Sequence, residues 1–199
     1  MAITAQEVNK LRQQTGAGMM DCKKALEENN GDFEQAIDYL RKKGAKVAAN
    51  RGDRDSKEGV VLAKTSADNK RGILIWVNCE TDFVARTDGF KAFVHNIALQ
   101  IASMAPMYVS EADIPATEVE RVRNEAKERS ITEGKPVNML DKIVDGQVKK
   151  HFDEIVLLNQ VYVMNDKQTV ADYLKENISK TGENLIIRQF KRIELGVSE

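Results

Sequence analysis

Cysteine, histidine and proline are scarce in this chain of 199 residues, at two, two and three. Cys22 and Cys79 lie far apart and form no C-x-x-C pair. That excludes a disulfide scaffold and fits a reducing cytoplasm. His95 and His151 show no metal-ligand spacing, and no nucleophile or paired base sits at a readable spacing from His95. No metal, no cofactor and no catalytic residue is therefore expected. No apolar run approaches the roughly 20 residues that cross a bilayer. The N-terminal residues Met1 to Glu7 carry neither a basic-then-apolar signal nor an Arg-rich transit pattern. Excess charge of one sign is missing as well: the net charge is −1, although 31% of the residues are charged. No direct contact with nucleic acid is expected from that balance.

What is present begins with residues 1–44, where the pattern predicts three short helices. Thr4 and Glu7 have the spacing of a capping box, and Ile3 and Val8 that of a hydrophobic staple. The first helix shows Val8 and Leu11 on one face; the second shows Cys22, Ala25 and Leu26. Asp32 and Gln35 are spaced to cap the third, whose face is Phe33, Ala36, Ile37 and Leu40, and Gly44 is placed to end it. Gly16-Ala17-Gly18 lacks the rest of a phosphate-loop pattern and reads as a tight turn between helices. Met19 and Met20 follow it directly. They fill the small core or form an adaptable contact surface, and at least one should be exposed.

Residues 45–58 read as a basic linker. From Arg41 to Lys57 there are seven basic residues against two acidic ones, with no aromatics interleaved for base stacking. Residues 59–199 carry the main domain. Gly59 to Thr65 and Gly72 to Asn78 predict a hairpin of two strands around a polar turn. Phe90, Phe93, Val94, Ile97, Ala98 and Ile101 then mark an amphipathic helix that Pro106 ends. Residues 116–151 predict an antiparallel helical hairpin, with Thr117 and Glu120 as a capping box and a thin apolar stripe of Val119, Val122 and Ala126. Leu185 to Leu195 alternate as a long strand that joins the earlier hairpin.

Between the second strand and the long helix stands Glu80-Thr81-Asp82-Phe83-Val84, which puts an aromatic where a loop is expected. Phe83 either anchors in a partner's pocket or tucks under its own sheet.

Two segments resemble one known family. Thr15-Gly16-Ala17-Gly18-Met19-Met20-Asp21-Cys22-Lys23-Lys24-Ala25-Leu26 is similar to the N-terminal signature of bacterial elongation factor Ts. Asn78-Cys79-Glu80-Thr81-Asp82-Phe83-Val84-Ala85-Arg86 resembles that family's second signature. The similarity runs on through Lys135-Pro136 and Lys149-Lys150-His151-Phe152 to Val163-Met164. It implies an α+β fold: a ubiquitin-associated-like three-helix bundle, then an antiparallel three-stranded sheet packed with helices and a projecting helical hairpin. It also implies a guanine nucleotide exchange factor for elongation factor Tu, acting in the cytoplasm. Thr81, Asp82, Phe83 and Val84 would disturb the Mg²⁺ and phosphate site of Tu. Arg12, Met19 and Met20 would hold its GTP-binding domain from a second side. The chain is short for the family, with room for one copy of the sheet-and-helix unit, which implies a homodimer. Some members carry a histidine where this sequence has Gln100, which puts in doubt any polar contact with Tu at that position. The competing readings are an enzyme, and an adaptor or RNA-binding module built on the bundle and the basic linker.

Overall fold

The computed structural model describes residues 3–52 and 54–197. Met1 and Ala2 of the N-terminal segment, Asp53 of the basic stretch, and Ser198 and Glu199 of the tail lie outside the described residues. Contacts divide the chain into two compact units. The first holds Met1–Val61, Trp76–His95 and Ala171–Ile187; the second holds Leu62–Ile75, Asn96–Val170 and Arg188–Glu199. The three-helix bundle and the turn after the second strand thus fall in one unit. Among the described residues no helix is long and apolar enough to cross a membrane.

The bundle consists of α1 (Ala5–Thr15), α2 (Met19–Glu28) and α3 (Phe33–Ala49). The expected capping box forms: the amide of Glu7 donates to the Thr4 hydroxyl at 3.3 Å, and the Thr4 amide donates back to the Glu7 carboxylate at 2.8 Å. Such caps contribute about 1 kcal/mol each. Val8, Leu11, Cys22, Ala25, Leu26 and Ala36 make the core, with Phe33, Ile37 and Leu40 packed against it. Gly16 closes α1 in the left-handed region (φ 67°), its amide donating to the Arg12 carbonyl at 2.7 Å.

The third helix does not stop at Gly44. It continues to Ala49, and Gly44 is buried inside it. A Cβ at this position would stand 3.5 Å from the Cβ of Ser179 on α8 (Val170–Thr181). The glycine therefore serves close helix packing here rather than termination. The stretch expected as a solvated linker is tied down too. Ser56 is buried and its hydroxyl donates to the Asn184 carbonyl at 3.2 Å. The Asn184 side-chain amide donates to the carbonyl of Arg54 at 3.0 Å.

β1 (Glu58–Thr65), β2 (Arg71–Cys79) and β5 (Ile186–Glu194) form an antiparallel sheet in the order β1-β2-β5. On β2 the side chains alternate: Ile73, Ile75 and Val77 are buried, whereas Leu74 and Trp76 are exposed. After the short α4 (Asp82–Arg86), α5 (Asp88–Met104) begins where the Thr87 hydroxyl accepts from the amide of Phe90 at 3.2 Å. Its expected stripe, from Phe90 to Ile101, is buried at every position named above.

In the second unit α6 (Ala116–Thr132) and α7 (Leu140–Ile155) pack against each other, and Val122, Ala126, Ser130 and Val144 are their buried residues. Arg123 pairs across them with Asp145 at 2.8 Å. The capping box expected at Thr117 does not form, because the helix starts at Ala116 directly after Pro115 and Thr117 is already inside its first turn. A small hairpin of β3 (Val161–Tyr162) and β4 (Asn165–Thr169) was not expected. Its connection, Val163-Met164, carries none of the usual turn residues.

Candidate functional site

The segment after β2 is a one-turn helix rather than the expected loop. Thr81 is its N-cap, the Val84 amide lying 3.4 Å from the Thr81 hydroxyl. Asp82 sits in the first turn, where a negative charge suits the helix dipole, and pairs with Arg86 one turn on at 2.8 Å. Helical periodicity then sorts the side chains. Ala85 is buried and Val84 half-buried, while Phe83 is 80% exposed. Phe83 therefore does not tuck under its own sheet. A phenyl ring left in water at the tip of a short helix retains about 2–3 kcal/mol of burial energy for whatever covers it.

The turn beneath α4 is anchored from both sides. Glu80 accepts a hydrogen bond from the Asn184 amide at 2.6 Å and pairs with Arg54 at 3.3 Å and Arg51 at 3.9 Å. The amide bond first, then the guanidinium of Arg54, holds its carboxyl below the ordinary range. The Cys79 thiol donates to the Thr81 carbonyl at 3.2 Å.

The bundle presents the other three candidates. Met19 and Met20 open α2 directly after Gly18 and are 52% and 74% exposed, so both face solvent, where at least one was expected to. Arg12 is exposed in the last turn of α1. Beside Met20 a shallow depression is lined by Asp21, Lys23, Lys24, Glu27 and Glu28, an apolar tip set among mixed charges. All seven candidate residues lie in the first unit, in two groups: Arg12, Met19 and Met20 on the bundle, and Thr81 to Val84 on α4.

Residues 23–197 match the family model described as Elongation factor TS. The chain belongs to the elongation factor Ts family. Curated elongation factor Ts proteins align along nearly the whole of it. That of Thermoanaerobacter sp. (strain X514) is 50% identical over 194 residues, covering 98% of this chain and 95% of the relative. That of Carboxydothermus hydrogenoformans is 50% identical over 194 residues, covering 98% and 89%. That of Geobacter sulfurreducens is 49% identical over 196 residues, covering 98% and 91%. This is a family of translation elongation factors, and the α+β architecture expected from the sequence is the one observed. Arg12, Met19 and Met20 precede the residues matched by the family model.

In this member of the family the hydrogen bonds of Gln100 are internal. Its amide donates to Gln160 Oε1 and to the Val161 carbonyl, both at 3.1 Å, and its oxygen accepts from the Val163 amide at 2.8 Å. Fully buried, it braces the β3–β4 hairpin. The two cysteines are free and buried. Burial pushes both thiols up, Cys79 to about 11 with Glu183 and Glu58 adding to the shift. Both are therefore neutral at pH 7 and poor nucleophiles. A thiol reagent is expected to label neither in the native protein and both after denaturation. Rapid native labelling of Cys79 would show that the Thr81 turn opens. The residues that sequence reasoning missed are Glu80, Glu183 and Asn184, which carry the turn. Their pairing runs across 102 to 104 positions and leaves no local signal.

Proposed function

We propose that this chain is a guanine nucleotide exchange factor for elongation factor Tu. The observation that carries this is Phe83, an aromatic side chain displayed to solvent from a held turn. A GTP-binding protein retains GDP through loop amides and a Mg²⁺ that neutralises phosphate charge. Phe83 inserts between side chains of Tu near that Mg²⁺. Asp82, with Thr81 and Val84 beside it, stabilises the displaced loop, and metal and nucleotide binding weaken together. Arg12, Met19 and Met20 grip the GTP-binding domain at a second point, which raises the effective concentration of α4 at its target. Linkage makes the effect reciprocal, so incoming nucleotide expels the factor. Nothing here needs a covalent step, a cofactor or a membrane, and the cytoplasm is the compartment of the reaction. The RNA-binding reading loses two of its cations, since Arg51 and Arg54 pair with Glu80.

The test is release of a fluorescent GDP from Tu, with and without a catalytic amount of this protein. Strong acceleration supports the reading; none would leave the family fold without this activity. The working form is a homodimer. β2 turns Leu74 and Trp76 to solvent opposite its buried residues, and a second copy of the chain would cover them. Sedimentation at micromolar concentration is expected to give twice the chain mass, and the single-chain mass for Trp76→Glu. A wild-type protein that is only monomeric would rule the dimer out.

A further inference from the structure

We propose that Glu183 is a positioning residue for exchange: its carboxylate holds the Glu80-Thr81 turn and so fixes the direction in which α4 presents Phe83. The proposal rests on the exchange reading above.

Helix α4 has five residues, too few to be stable alone, so its orientation comes from its ends. At its C-terminal end the Thr87 amide and hydroxyl both donate to the Val84 carbonyl, at 3.0 and 2.8 Å. At its N-terminal end three donors converge on one side chain. The amides of Glu80 and Thr81 each donate to Glu183 Oε2 at 3.1 Å, and the Thr81 hydroxyl donates to Oε1 at 2.6 Å. With its O–H donating to Glu183, the hydroxyl turns a lone pair toward the Val84 amide, which completes the cap. Hydrogen bonds to an ionised carboxylate are shorter and about twice as strong as neutral ones. One residue thus orders both amides of the turn and the cap of the helix that follows.

The anchor is itself held. The chain leaves α8 through Gly182 in the left-handed region (φ 73°), whose amide donates to the Ile178 carbonyl at 3.0 Å. The Glu183 amide then donates to the Thr181 hydroxyl at 3.3 Å. The next residue closes the clasp in the opposite sense, as the Asn184 amide donates to the Glu80 carboxylate. Backbone and side chain of Glu80 are thereby bound to two consecutive residues of the α8–β5 turn. A wedge acts only if it arrives already oriented, and small misplacements of a positioned group cost up to about a hundredfold in rate.

The test separates the maximal rate of GDP release from the half-saturating concentration of this protein, and adds native-state hydrogen exchange. In Glu183→Ala the amides of Glu80 and Thr81 are expected to lose protection while the interior amides of β2 keep theirs. The maximal rate should fall about tenfold or more. The half-saturating concentration should change little, because the bundle contact is untouched. Glu183→Gln keeps the side-chain volume and one acceptor oxygen, and should lie between alanine and wild type. It decides the matter if the alanine variant loses β2 protection. Wild-type maximal rates in both variants would overturn the proposal. So would retained protection of Glu80 and Thr81 in Glu183→Ala, or a loss confined to half-saturation. If the wild-type protein itself does not accelerate release, the exchange reading fails, and the protection pattern still judges the clasp.

Discussion

Replacing Phe83 with alanine is expected to remove most of the acceleration of GDP release and to leave the fold intact. The ring is 80% exposed, so its loss opens no cavity and stability should change by no more than about 0.5 kcal/mol. In the complex the same ring becomes a buried aromatic anchor, where truncation to alanine costs about 2–4 kcal/mol. At roughly 1.4 kcal/mol per decade, that is about a 30- to 1000-fold slower release. Exchange on a scale of 10⁴-fold would need about 5.5 kcal/mol, so Phe83 would supply roughly a third to three-quarters of it. Met20→Ala, which removes one of several contacts at the second grip, should weaken half-saturation more than the maximal rate. Fluorescent GDP release and a thermal melt on the same samples are sufficient. A normal rate in Phe83→Ala would sink the wedge. A slow rate accompanied by a lowered melting temperature would show that the side chain matters to the fold instead.

Gly59→Ala is expected to cause the largest loss of stability among single glycine substitutions. Gly59 lies in β1 with φ 149°, and an added Cβ would stand 2.1 Å from the Val77 carbonyl oxygen and 2.8 Å from the Asn78 Cα. Both are backbone atoms of β2, whose Ile75, Val77 and Cys79 side chains are fixed in the core. No rotamer relieves the clash, so the strands must separate or β1 must twist. Strain of this kind costs about 3 kcal/mol. For a chain of this length that lowers the melting temperature by roughly 6–12 °C. Gly89→Ala is the contrasting control. It is a helical position where an added Cβ meets nothing within 4 Å, and helix propensity there favours alanine by up to about 1 kcal/mol. Equal melting of Gly59→Ala and wild type would mean that the two strands do not approach as closely as described.

Much of the fold is legible from short stretches. The Thr4–Glu7 box, the Asp32 cap and the stripe on α5 each involve residues within a few positions of one another, and each forms as its spacing implies. Capping and amphipathic periodicity are local, so they need no knowledge of what packs where. Gly44 shows the limit of the same logic. Its place after an apolar stripe reads as a helix end, yet α8 packs closely there and the helix runs on. Thr117 shows it again, since the helix starts after Pro115, two residues earlier than the capping pattern required.

Composition and motif by themselves determined the class of this protein: an α+β member of the elongation factor Ts family with a singled-out aromatic at Phe83. The identity of the exposed residue was written in the chain, but its exposure was not. Whether Phe83 faced water or its own sheet depended on α4 forming and on Ala85 taking the inward side. The residues that hold it there, Glu183 and Asn184, lie more than a hundred positions away from their partners. A carboxylate reads the same in sequence whether it is solvated or collects three donors. Only the return of the chain after α8 brings those donors within hydrogen-bond distance, and that return is set by packing rather than by any local pattern.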